Sequence, residues 1–221
     1  MQQFSYIASH DIKEPIRSVG NYIGLIRHKL SQDEKAKMIP YFDAIDDSLK
    51  QTYTLIEDVM QYTQIGEDKA VVIKNTDLNA LIKNVTLGLE SYIQEKNGQV
   101  NFTNLPAIQS SSSLLFIVFK NLIQNGLKFN RSTIPIVKID YENKNAQHII
   151  RVSDNGIGIE NDFHQHIFKM FKRLHTRKEF KGTGLGLAIT ENIVAKLNGT
   201  VEVEKSSLDG TIFKITLPEN I

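Results

Sequence analysis

The 221-residue sequence predicts an α+β protein in two parts. The first is a helical hairpin able to pair with a second copy as a dimeric four-helix bundle. The second is an α/β sandwich, a mixed sheet with helices on one face. Two observations predict this division. Residues 1–65 repeat apolar side chains at steps of three and four and carry no glycine after Gly24, the period of amphipathic helices. Beyond about residue 70, short alternating runs take over, with helix-period segments between them. The boundary falls at Gly66-Glu-Asp-Lys69, a polar, glycine-containing linker, giving domains 1–65 and 66–221.

In the hairpin, Phe4, Ala8, Ile12, Ile16, Val19, Ile23, Ile26 and Leu30 form one stripe. After a turn and N-cap at Ser31, Phe42, Ile45, Leu49, Tyr53, Ile56 and Met60 form another. Two such helices have too little core alone, which predicts the second copy. Pro15 removes a hydrogen bond to the carbonyl of Asp11 and predicts a bend just after His10. The helical pattern is already under way at Met1 without a cap, so upstream segments are expected.

The second part reads as strand 71–74, helix 78–95 opened by Asp77, strand 99–104 and a serine-capped helix 111–130. Strands 136–141 and 148–153, helix 184–197, and strands 200–205 and 211–217 follow.

Composition excludes several functions. Net charge is +1, so no field favours nucleic acid or a membrane surface. No cysteine is present, which removes disulfides and thiolate metal sites. No stretch reaches the roughly 18 apolar residues a membrane span needs. His164, His166 and His175 lie near one another in sequence, but no acidic ligand set accompanies them.

Four segments carry candidate chemistry. On helix 111–130, Asn121, Asn125 and Lys128 share a stripe about 60° wide, with Phe129 at its edge. Such a stripe offers oxygen ligands and a phosphate-seeking cation, or simply a solvated face. Asp154-Asn-Gly-Ile-Gly158 follows a strand whose alternation sets Ile150, Val152 and Asp154 on one side. A carboxylate ending a buried row needs a donor, which an adenine amino group could supply; a plain glycine turn is the other reading. Gly182-Thr-Gly-Leu-Gly186 opens a helix and offers backbone N–H groups to phosphate. No strand precedes it and no Gly-Lys-Ser/Thr occurs in it, which argues against dinucleotide and P-loop sites. Between the glycine segments, residues 160–181 combine apolar anchors with basic residues, the pattern of a lid over an anion or of a solvated loop.

Taken in order, Ser9-His10-Asp11 with Pro15, Asn121-Leu-Ile-Gln-Asn125, Asp154-Asn-Gly-Ile-Gly158, Phe168-Lys-Met-Phe171 and Gly182-Thr-Gly-Leu-Gly186 resemble the five signature boxes of two-component sensor histidine kinases. The resemblance covers essentially the whole chain and is closest to the bacterial-phytochrome and PAS-sensor type. It implies a Bergerat-fold ATP-binding domain behind a dimerisation and phosphotransfer hairpin, facing the cytoplasm, without contacts to nucleic acid or membrane. It further implies that His10 is the phosphoryl acceptor, with Asp11 accepting from its other ring nitrogen. ATP would be held by Asn121, Asn125, Lys128, Phe129, Asp154, Gly156, Gly158, Gly182, Thr183, Gly184, Leu185 and Gly186, and Mg²⁺ by Asn125. The partners implied are a second copy and a response-regulator receiver domain. A silent scaffold of the same fold, and another Bergerat-fold ATPase, are the rival readings; the second lacks a His-bearing hairpin.

Two departures from the family pattern carry expectations. Gly126 stands where many relatives have alanine, and helix propensity predicts that Gly126→Ala stabilises by about 1 kcal/mol and leaves ATP binding intact. Glu14 stands where phosphatase-competent relatives commonly carry Thr or Asn, which predicts weak phosphatase activity.

Overall fold

The computed structural model describes residues 2–66, 70–102, 104–176 and 179–219, and its side chains from residue 12 onward. Residues 67–69 of the expected linker, Thr103 of the expected strand 99–104, and Arg177 and Lys178 of segment 160–181 lie outside the described residues. The chain divides into two compact units, Met1–Glu67 and Asp68–Ile221.

The first unit is a hairpin of α1 (Gln2–Lys29) and α2 (Gln32–Ile65). Its turn is fixed at Ser31 by a capping box. Ser31 Oγ accepts from the Glu34 N–H at 3.4 Å, and Glu34 Oε2 accepts from the Ser31 N–H at 2.9 Å. The Ser31 hydroxyl, 2.6 Å from Glu34 Oε2, and then the Ser31 N–H hold the Glu34 carboxyl below its ordinary range. Pro15 sits inside α1 and Pro40 inside α2. Phe42 is buried between the helices under the Arg27 guanidinium, which lies 4.8 Å from its ring and pairs with Asp46 at 2.8 Å. Along α1, Ile12, Val19 and Ile26 remain 50%, 49% and 48% exposed, while Ile16, Ile23 and Leu30 are half-buried.

The second unit runs β1 (Lys74–Asp77), α3 (Leu78–Gly88), α4 (Glu90–Glu95), β2 (Gln99–Phe102), β3 (Ala107–Ser110), α5 (Ser112–Lys128), β4 (Ile136–Lys144), β5 (Gln147–Asp154), a 3-10 turn (Asn161–Phe163), α6 (Gly186–Lys196), β6 (Thr200–Ser207) and β7 (Gly210–Pro218). The five-stranded sheet has the order β2-β4-β5-β7-β6. β2 and β4 are parallel and the remaining pairs antiparallel, so the sheet is mixed, as expected. Helix α5 packs on β4 and β5, and α3 and α6 flank it. Leu115, Phe119, Leu122 and Ile123 of α5 are at most 1% exposed. On the other face, Arg151 of β5 bridges Glu142 at 2.9 Å and Glu204 at 2.8 Å.

Several elements differ from expectation. The first strand lies at Lys74–Asp77, not 71–74, because it pairs antiparallel with β3, which the sequence did not announce. The helix expected over 78–95 breaks at Leu89 into α3 and α4. Asp77 caps α3 as expected, accepting from the Ala80 N–H at 3.1 Å. Ser111 occupies the N-cap of α5, but its hydroxyl meets Ser113 Oγ at 3.2 Å and makes no capping bond.

Candidate functional site

The candidate site is assembled at the ends of α5, β5 and α6. Ile150 and Val152 are buried, and Asp154 continues their row at the end of β5. Asp154 Oδ1 accepts two backbone hydrogen bonds, from the Gly156 N–H at 2.8 Å and the Thr211 N–H at 3.2 Å. Burial pushes this carboxyl up to about 6, against the pull of those two donors. Both bonds land on one oxygen. A mostly desolvated carboxylate with its second oxygen outside these bonds suits a neutral N–H donor on a ligand.

The loop after Asp154 is drawn tightly against its neighbours. The Ile157 N–H donates to the Phe129 carbonyl at 3.0 Å, and a Cβ at Gly156 would collide with that same carbonyl. Gly158 has φ +72°, where a side chain would strain the backbone and strike the Ser207 carbonyl. The next residue, Ile159, donates its N–H to Ser206 Oγ at 2.7 Å. Thr211 and Ser206, on β7 and β6, therefore brace the loop. Neither was singled out from sequence, because one acts through its backbone and the other lies nearly fifty residues from the loop it holds.

Helix α5 brings its polar stripe to the Gly182–Gly186 segment. Asn121 Nδ2 donates to the Gly186 carbonyl at 3.1 Å. The Lys128 side chain lies where a Cβ on Gly182 would meet it, and its Nζ sits 4.4 Å from the centre of the Phe129 ring. Asn125 is half-buried on the same stripe and makes no side-chain hydrogen bond among the described residues. Leu185 is buried at the N-terminus of α6, where its N–H reaches Thr183 Oγ1 at 3.4 Å. The Gly184 carbonyl accepts from the Phe171 N–H at 3.0 Å. Asn121, Lys128, Gly182, Thr183, Gly184, Leu185 and Gly186 thus gather at one end of the site, and Asp154, Gly156 and Gly158 at the other. Phe129, the C-cap of α5, lies between them.

Segment 160–181 is anchored by Ile167 and Phe168, both buried, with Phe168 edge-on to Phe213 at 6.4 Å. Met170 and Phe171 are exposed. Phe180 and His175 stack against Phe129 at 5.0 and 6.1 Å, and Arg173 donates to the Phe180 carbonyl at 2.6 Å. His164 meets the Ile159 carbonyl at 3.1 Å. Among the described residues no three acidic or imidazole groups gather as a metal site.

Gly126 points inward as its position on the helix predicts, but the stabilisation expected of alanine there is corrected by the packing. A Cβ would lie 2.8 Å from Val137 Cγ2 and 3.0 Å from Asp154 Cβ. A β-branched side chain in a sheet cannot swing away cheaply, so overpacking outweighs helix propensity.

His10 and Asp11 fall within α1, and their side chains lie outside the described ones. Glu14, one turn later, is exposed. No helix among the described residues is long and apolar enough to cross a membrane.

An α/β sandwich with a buried carboxylate at one end and a glycine segment facing a polar helix stripe at the other is a nucleotide-binding class of domain. Residues 110–221 match the family of histidine kinase-, DNA gyrase B-, and HSP90-like ATPases. The chain belongs to that family, and within it is a sensor histidine kinase catalytic core with an ATP-binding domain. It is 36% identical over 220 residues to phytochrome-like protein Cph1 of Synechocystis sp., covering 99% of this chain and 29% of that protein. Full-length ShkA, solved with AMPPNP, superposes with a TM-score of 0.75 at 22% identity, covering 98% of this chain and 45% of that one. Histidine kinase ThkA, solved with the response regulator TrrA, gives a TM-score of 0.68 at 22% identity, covering 99% and 61%. At those identities the two structures establish likeness of fold. The chain spans less than two thirds of the length of each of these proteins.

Proposed function

We propose that this chain autophosphorylates His10 from Mg-ATP and passes the phosphoryl group to an aspartate of a response-regulator receiver domain. The observation that carries the reading is the two-ended site. Asp154 offers a desolvated acceptor at one end, and Lys128 meets the Gly182 segment at the other. Adenine would donate its amino group to Asp154, Phe129 would pack at the nucleoside, and Lys128 with the N–H groups of residues 182–186 would meet the phosphates.

Asn125 fits a hard cation: its carboxamide oxygen is a suitable ligand, it is half-buried, and no described residue competes for it. Mg²⁺ there would neutralise charge on the transferring group. Phosphoryl transfer is mainly positioning and charge neutralisation. His10 is suited to accept because an imidazole nitrogen is a nucleophile that works near neutral pH. Asp11 would hold its other ring nitrogen in the attacking tautomer.

Dimerisation is assigned to residues 1–65, since the open stripe of Ile12, Val19 and Ile26 is what a second hairpin would cover. Glu14 would repel an incoming phosphoryl group, so phosphatase activity toward a phosphorylated regulator should be weak. A large shortening of the regulator's phosphate lifetime on adding this chain would refute that part.

Incubation with γ-labelled ATP and Mg²⁺ tests the whole. Wild type should take up label and Asn125→Ala should not. Wild type that binds ATP yet takes up no label would instead be a signalling scaffold.

A further inference from the structure

Asp154 and the pair Lys128 and Phe129 come from different elements, the end of β5 and the end of α5. A nucleotide spanning them needs their spacing held to a fraction of an ångström. Asn155, the residue after Asp154, spends its whole carboxamide on that spacing. Its Oδ1 accepts from Asn130 Nδ2 at 2.7 Å and from the Ile136 N–H at 2.7 Å, and its Nδ2 donates to the Ile134 carbonyl at 3.0 Å. Its backbone carbonyl accepts from Ser132 Oγ at 3.1 Å, and its N–H donates to the Ile136 carbonyl at 3.3 Å. Asn130 in turn accepts from the Ser132 N–H at 2.8 Å and reaches back to the Gly126 carbonyl of α5 at 3.4 Å.

We infer that Asn155 and Asn130 form a strut of two carboxamides that fixes Asp154 relative to Lys128 and Phe129, and that both are positioning residues for nucleotide binding. The inference rests on the proposed nucleotide roles of those three residues. Only a carboxamide meets the demand at 155. A carboxylate would set oxygen against the Ile134 carbonyl, and a serine would have to make all three bonds from one oxygen closer to the backbone. Every polar atom of the Asn155 amide is engaged by protein, so its influence on the ligand is indirect.

ATP and adenosine binding to the full chain, by calorimetry, tests this in wild type, Asn130→Ala, Lys128→Ala and the double variant. Asn130→Ala should weaken ATP at least tenfold, and should weaken it less than threefold once Lys128 is already alanine, because the contact it positions is gone. Adenosine, which has no phosphates and would use only the Asp154–Phe129 spacing, should weaken too, but by less than ATP. Equal losses in both backgrounds, or an unchanged ATP affinity, would overturn the strut. Should Asn130→Ala fail to fold, Asn155→Asp decides. It keeps both accepted bonds and loses the donated one, so ATP should weaken several-fold. An ATP affinity unchanged by Asn155→Asp would overturn the strut. Wild type that binds no ATP would remove the parent reading as well, whereas wild type that binds without the coupling removes the strut alone.

Discussion

In helix α5 the apolar face closes completely, with Leu115, Phe119, Leu122 and Ile123 at most 1% exposed beneath a sheet and two helices. In helix α1 residues of the same rhythm, Ile12, Val19 and Ile26, keep about half their surface open, at 50%, 49% and 48%. The two stripes look alike as sequence. They differ in what the chain supplies to cover them: the second unit brings a five-stranded sheet, and the hairpin brings one facing helix. The second unit covers the apolar face of α5 from within itself. The exposed residues of α1 are what the proposed pairing with a second hairpin would cover.

The largest expected effect separates the two units. Phe119→Ala should destabilise the second unit by about 3–5 kcal/mol, the range for emptying a packed core, and this loss should not depend on protein concentration. Leu49→Ala, on the half-buried stripe of α2, should lower the hairpin's melting in a way that deepens on dilution. Equal, concentration-independent losses would erase the contrast.

The next prediction concerns Asp154. Its carboxyl is raised to about 6 in the fold from 3.8. The group therefore favours the ligand-free fold fully below pH 3.8, and that contribution is lost as pH rises through 6. At pH 7.5 Asp154→Asn should raise the ligand-free melting temperature, by on the order of 1–3 kcal/mol of stability, while ATP binding weakens at least tenfold. In wild type, ATP should bind more weakly below pH 6, where the acceptor is neutralised. A ligand-free stability that rises between pH 5 and 7 on account of this residue would reverse the sign and defeat the reading.

Gly126→Ala comes third. Overpacking against Val137 and Asp154 should destabilise by about 1–3 kcal/mol and weaken ATP, measured by melting and calorimetry; a raised melting temperature would restore the propensity argument. Smallest is Ser31→Ala, which removes the capping box and should lower hairpin stability by about 1 kcal/mol without moving the second unit.

How far sequence reading reached follows the same contrast. Helix α5 was legible because a buried face and a polar stripe coexist on one regular element. The row Ile150, Val152, Asp154 was legible because period two is strict on a half-buried strand. Strand β3 was not: only Ile108 and Ser110 of its four residues are buried, too short a pattern to stand out. β1 moved for the same reason, since its place is set by pairing with β3. The break at Leu89 comes directly after Gly88, a poor helix former at which α3 ends. Asn155, Asn130, Ser206 and Thr211 act through bonds to backbone or across distant strands, which one-dimensional spacing does not reveal. Gly126 shows the opposite failure, where a local rule was clear and a three-dimensional neighbour overruled it.

In the proposed reaction His10 receives the γ-phosphoryl group of ATP held in the second unit. The most direct measurement is the chemistry of the label after incubation with γ-labelled Mg-ATP, in wild type and His10→Gln. Phosphorylation of His10 gives label that is lost in acid, stable in alkali and absent from the variant. Label that persists in His10→Gln, or that survives acid, would place the phosphoryl group elsewhere and contradict it.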